Sequence, residues 1–209
     1  MSAFSFPRFC EMVRDRQETR AMTAEAEEIL AFWFDEVGPV GWYEGGEALD
    51  ETCRARFLGT WELGRTGALN AWTCAPRSTL GLIILLDQLP RNMFRADARS
   101  FASDARARAV AKGAIERGFD VRIEEPARWF FYLPLMHSEI VGDQERAVRM
   151  FALRSGNKEQ LKHARAHRAV IRRFGRFPYR NAALGRRTTP VEAEFLAAGG
   201  YAAALREVG

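Results

Sequence analysis

Lysine is almost missing from this chain. Only Lys112, Lys158 and Lys162 occur among 31 basic residues, so 28 are arginine. Arginine replaces lysine along the whole length, which suggests a GC-rich coding bias. An arginine-dense stretch alone therefore does not mark a selected patch. Cysteine is scarce too. Cys10, Cys53 and Cys74 are odd in number, lack metal-type spacing and read as reduced thiols of a cytoplasmic protein. No apolar run approaches the roughly 18–20 residues that a bilayer span needs. Met1–Ala21 lacks the apolar core of a secretory signal. Its Arg and Ser faintly resemble an organelle transit peptide, but Glu11, Asp15 and Glu18 argue against that. There is no alternating strand pattern, no domain linker, no Gly-rich phosphate loop, no nucleophile motif and no complete metal signature. Membrane spanning and a ready-made reaction class are thereby excluded.

What is present is helical periodicity. With 209 residues, 47% hydrophobic and 28% charged, the chain suits one globular domain. Met22-Thr23-Ala24-Glu25 looks like a natural helix start. Residues 1–22 are therefore expected to be a disordered or mispredicted extension, and residues 23–209 a single helical domain. A first helix is predicted from an N-cap at Thr23 to Val37, followed by a loop bracketed by Gly38-Pro39 and Gly45-Gly46. A second runs over about Glu47–Leu63. A third, over about Ser78–Gln88, is apolar on all sides through Leu82–Leu86. It should be central and should stop before Leu89-Pro90. A fourth covers about Ala98–Arg117. A fifth begins at Pro126, with a kink at Pro134. A sixth covers about Asp143–Leu153. A seventh runs from Asn157 to a C-terminal Gly175, and an eighth starts at a Thr189–Glu192 capping box. Short connections imply antiparallel neighbours, hence an all-α stack of helix pairs.

The net charge of +4 hides an asymmetry. Arg154–Arg187 carries 11 basic residues and one acid, Glu159, so this segment is +10 and the rest is −6. On a helical wheel Lys158, Lys162, Arg165, Arg172 and Arg173 share one face, opposite Val170, Ile171 and Phe174. That is a solvated helix face, and nucleic acid is disfavoured as a partner. His163 and His167 fall on the apolar face, four residues apart. They are weak metal candidates that need a third ligand such as Glu139 or Asp143. A buried structural pair is the plainer reading. No metal or other cofactor is predicted.

Further polar residues stand where a core is expected. Asp87-Gln88 ends the most apolar helix against the macrodipole, and it needs a cationic or donor partner such as Arg91 or Asn92. His137 and Glu139 follow the Pro134 kink. Together they suit acid–base chemistry, or they merely satisfy freed backbone groups. Leu89-Pro90-Arg91-Asn92 and Phe177-Pro178-Tyr179-Arg180-Asn181 repeat one pattern, an apolar residue and proline followed by Arg-Asn. Two such turns meeting across a helical stack would make an electropositive pocket fringed by His137 and His167.

Four motifs in order resemble one family. They are Ile29–Phe34, Leu82–Asn92, Phe130–Glu139 with Asp143-Gln144, and His167 followed by Phe174–Asn181 and Leu184-Gly185-Arg186. The chain is similar, over about Thr23–Leu196, to the bacterial domain-of-unknown-function family 924. The resemblance implies a tetratricopeptide-like α-α superhelix and no established activity. Leu89 stands where Phe is usual and Tyr179 where His is usual, which removes one imidazole from the second Arg-Asn turn.

Three readings follow. The first is a pocket for a small carboxylate or phosphate, or an acidic peptide end, lined by Arg91, Asn92, His137, Glu139, His167, Arg176, Arg180, Asn181 and Arg186. The second is an enzyme in which His137 or His167, with Glu139 or Asp87, handles protons. The third is a scaffold in which these residues only tie turns together.

Overall fold

Leu82, Ile83, Ile84, Leu85 and Leu86 have no solvent exposure at all. The chain wraps helices around this segment. A computed structural model describes residues 16–208. The expected extension therefore falls mostly outside the described residues. The described part of it, from Arg16, is already helical, so Thr23 lies inside a helix and does not cap one.

Eleven α-helices are formed by the described residues: α1 (Arg16–Ala31), α2 (Gly38–Glu44), α3 (Glu47–Thr66), α4 (Pro76–Ile83), α5 (Leu89–Met93), α6 (Asp104–Glu116), α7 (Leu133–Met136), α8 (Val141–Arg154), α9 (Lys158–Phe174), α10 (Pro190–Ala197) and α11 (Tyr201–Glu207). None of the described residues forms a strand. No described helix is long and apolar enough to cross a membrane. α1 packs on α4, α3 on α5, and α9 on both α8 and α11. The main core is aliphatic and aromatic. A smaller one gathers Val170, Ile171, Phe177, Phe195 and Ala204 beneath the C-terminal helices.

Several local expectations are corrected. The third predicted helix does not stop at Leu89. It widens into a π turn at Ile84–Gln88 and continues as α5, with Pro90 in the first turn. Leu89 N–H reaches back to the Ile84 carbonyl. Pro90 has no N–H to offer Leu86, and the Ser103 hydroxyl donates to the Leu86 carbonyl instead, at 2.6 Å. A second π turn, Phe32–Val37, follows α1. The predicted loop after it is helical in part, as α2. The segment from Pro126 is a 3-10 helix at Ala127–Phe131, then α7. Pro134 sits in the first turn of α7, where a missing N–H costs nothing, so the helix restarts there and does not bend. Ala98–Arg117 likewise splits into a 3-10 turn, Ala98–Phe101, and α6. Cys53 is a free, fully buried thiol that burial, then Asp50, pushes up to about 12. Cys74 is disulfide-bonded, which corrects the expectation of three reduced thiols.

The caps follow the sequence. Asn157 accepts from Gln160 N–H at the start of α9, and Gly175 closes it in the left-handed region at φ 71°. Thr189 and Glu192 form the capping box of α10.

Candidate functional site

Both π turns open onto one cavity of about 480 Å³. π turns within helices are frequent at functional sites because the extra residue re-aims side chains. The first contributes Trp33. The second ends in Asp87, buried behind the cavity, and Gln88, which lines it.

One wall is cationic. Arg91, Arg180 and Arg95 line it, and each meets a buried aspartate. Arg91 Nη2 donates to Asp104 at 2.8 Å, and Arg180 Nη1 to the same carboxylate at 3.4 Å. Arg95 grips Asp50 through Nε and Nη2 at 2.7 and 2.8 Å. Both the Arg91 and Arg180 guanidinium groups sit over the Phe101 ring, at 4.9 and 4.7 Å. The two Arg-Asn turns thus converge on Asp104 and Phe101. Burial raises the Asp104 carboxyl above its ordinary value, against the opposing pull of Arg91. Arg180 is only 8% exposed. Burial and the neighbouring Arg91 lower its pKa. Its Nε and Nη2 make no hydrogen bond among the described residues and are not sealed off, so they face the cavity.

Three imidazoles continue this wall. His137 directly follows α7, and its Nδ1–H donates to Asp87 at 2.9 Å. Asp87 is 1% exposed. Burial alone would raise its pKa, but His137 and Arg91 outweigh that and hold it below the usual carboxylate range. Nε2 of His137 has no partner among the described residues and is left to the cavity. The His167 ring lies 6.0 Å from His137, and its Nδ1–H donates to the His163 carbonyl. Burial, then His137, pushes His167 down to about 3, so it is neutral at ordinary pH. His163 Nδ1 pairs with the Tyr201 hydroxyl at 2.6 Å. Burial lowers the pKa of His163. Among the described residues no three His, Cys, Asp or Glu side chains group as a metal site, so the His163–His167 pair lacks its third ligand.

Another part of the lining is aromatic. Trp33, Trp42 and Phe130 contact one another, with Trp42 and Phe130 at 5.0 Å and edge to face. Trp42 is fixed by its indole N–H on the Trp33 carbonyl at 2.8 Å. Trp129 and Leu133 extend this wall.

Of the nine predicted pocket residues, the cavity gathers Arg91, Asn92, His137, His167 and Arg180. Four lie elsewhere, in structural pairs. Glu139 takes a bidentate bond from Arg186 at 2.8 and 2.9 Å and accepts from Phe177 N–H. Arg176 holds Glu192 at 2.6 and 2.8 Å, and Asn181 donates to Glu192 and Thr188. Asp143 is taken by Ser138 and Lys112. Sequence reasoning missed Arg95, Phe101 and the aromatic wall. Trp42 and Tyr43 fall in the segment expected to be a loop between Gly38-Pro39 and Gly45-Gly46.

The fold and this cavity define a class: an all-helical chain with one wall of arginine and histidine and one of tryptophan and phenylalanine. The chain belongs to a family of bacterial proteins of unknown function, DUF924, whose family model matches residues 29–200. It is similar to the solved structure of a protein of unknown function, ATU0120, from Agrobacterium tumefaciens. The identity is 39% and the TM-score 0.79, with 84% of this chain and 98% of that chain covered. No curated protein matches.

Proposed function

We propose that the cavity binds a small organic anion through a carboxylate or phosphate. One observation carries this reading: Arg180 is buried, yet it keeps Nε and Nη2 unspent toward the cavity. An oxyanion entering the cavity satisfies both donors bidentately. Arg91, Asn92, His137 and His167 border the same space. An acidic peptide end would present the same carboxylate. The cytoplasm belongs to this proposal on the strength of a metabolite-like ligand, not of the cysteines.

The second reading is an enzyme. Asp87 orients His137 and leaves Nε2 to the cavity, an arrangement suited to a general base. The scaffold reading fits Glu139, Arg176 and Arg186, whose charged groups are paired with carboxylates or guanidinium groups, and the Asn181 amide nitrogen, which donates to Glu192 and Thr188. We also read the helices as tetratricopeptide-like antiparallel pairs. α8 and α9, consecutive and packed along each other, are the clearest support.

A thermal-shift series with inorganic phosphate, acetate and succinate tests the binding reading, since a ligand that prefers the folded state raises apparent stability. Stabilisation that disappears in Arg180→Gln is expected. Failure of every anion to stabilise the wild-type protein counts against it.

A further inference from the structure

The two walls differ in chemistry, and that difference restricts the ligand. The cationic wall is knit together by its own contacts: Arg91 and Arg180 through Asp104 and Phe101, and His167 against His137. The aromatic wall is knit separately, through Trp33, Trp42 and Phe130. No ring contact or ion pair among the described residues joins these two sets.

A simple inorganic anion would use only the first wall. It would leave the partly exposed Trp42 and Trp129 indoles and the Leu133 side chain facing water. That is an unfavourable arrangement, and a ligand with an apolar body relieves it. The aromatic wall is also stiff. The Phe130 ring stands edge to face against both indoles, at 89° to Trp33 and 84° to Trp42. Trp42 is further locked by its bond to the Trp33 carbonyl. Rigid ring faces and edges suit a flat, rigid partner better than a flexible chain, which loses rotamer freedom on binding.

We propose that the ligand is an aryl carboxylate or aryl phosphate, its oxyanion on Arg180 and its ring system against Trp42 and Trp129, with Trp33 and Phe130 packed against Trp42 to hold it. This rests on the anion reading of the same cavity. The orientation follows from desolvation. An oxyanion against the aromatic wall would meet no charged donor, whereas on Arg180 it meets two unspent N–H-bearing nitrogens.

Intrinsic fluorescence and calorimetry with 2-naphthoate, acetate and 2-naphthol test this on the wild-type protein. Three tryptophans, Trp33, Trp42 and Trp129, line the cavity and report its occupancy. Naphthoate is expected to bind at least about tenfold more tightly than either acetate or naphthol, and to quench the tryptophan emission. Trp42→Leu should narrow the naphthoate-to-acetate ratio while acetate affinity is retained. Naphthoate bound no tighter than acetate overturns this inference and leaves the anion reading standing. Naphthol bound as tightly as naphthoate overturns the anion reading, and this ligand class with it. No binding by any of the three overturns both. The comparison of the three ligands on the wild-type protein depends on no variant that must fold.

Discussion

Both carboxylate oxygens of Asp87 lie within 3.0 Å of Nδ1 of His137. The pair joins a π turn to the residue after α7, and Arg91 stands 3.6 Å from the same carboxylate. Asp87→Ala leaves His137 and Arg91 facing a hole in place of a buried counter-charge. Breaking a buried pair from one side costs about 3–5 kcal/mol. Urea unfolding near neutral pH should show a loss of that size. A loss under about 1 kcal/mol, the scale of an exposed pair, contradicts it. Because the folded Asp87 pKa is lowered, its contribution is complete above the unfolded carboxyl value of about 3.9 and is lost as pH falls through the folded one.

His167 predicts a second pH effect. Its folded pKa is pushed from the ordinary 6.5 to about 3. Between those values the unfolded chain binds a proton that the folded one does not, so stability falls as pH drops through that window. His167→Gln removes this proton uptake. Its stability should decline less steeply than that of the wild type from about pH 6.5 to about pH 4. Parallel pH profiles in urea unfolding contradict the prediction.

Ser103 stands in for a missing backbone donor. Its hydroxyl bonds the Leu86 carbonyl and also accepts from the Trp61 indole at 3.0 Å. Ser103→Ala strands a buried acceptor and a buried donor, each costing about 1–3 kcal/mol. Pro90→Ala restores an N–H four residues after Leu86. The serine substitution should therefore cost less in that background, and a double-mutant cycle measures the difference. Additive effects would show that Ser103 is not compensating for Pro90.

The arginines beyond Gly175 should separate by location. Arg180→Gln is expected to weaken phosphate or acetate binding by more than about tenfold. Arg176→Gln and Arg186→Gln, which lose pairs with Glu192 and Glu139 outside the cavity, should leave that affinity within about twofold. Titration calorimetry on variants with wild-type circular dichroism makes the comparison. Equal losses across all three contradict the assignment.

Helices and caps were legible because their determinants are local. The capping box at Thr189, the N-cap at Asn157 and the glycine at 175 act within one turn. The inward placement of His163 and His167 follows from the same wheel that puts Lys158, Arg165, Arg172 and Arg173 in solvent. The repeated pattern of a proline followed by Arg-Asn, directly at Pro90 and after Tyr179 at Pro178, pointed to Arg91 and Arg180 as related, and they share Asp104. The π turns were not legible. Pro90 removes one N–H and reads locally as a stop. The donor that lets the helix continue is Ser103, on a separate segment.

The sequence by itself determined an all-helical chain, its main apolar segment and the set of polar residues out of keeping with a core. It did not determine which of them face a cavity. Arg180 finds Asp104 across 76 positions, and Arg186 finds Glu139 across 47. Both are arginines from one short stretch, and nothing within a turn of either distinguishes them. The tertiary structure decides by where it puts the carboxylate. Glu139 takes both Arg186 nitrogens in a bidentate bond, whereas Asp104 is shared with Arg91 and leaves part of Arg180 unspent. Ring packing settles the other wall, since Trp33 and Phe130 meet only when separate helical segments close on each other.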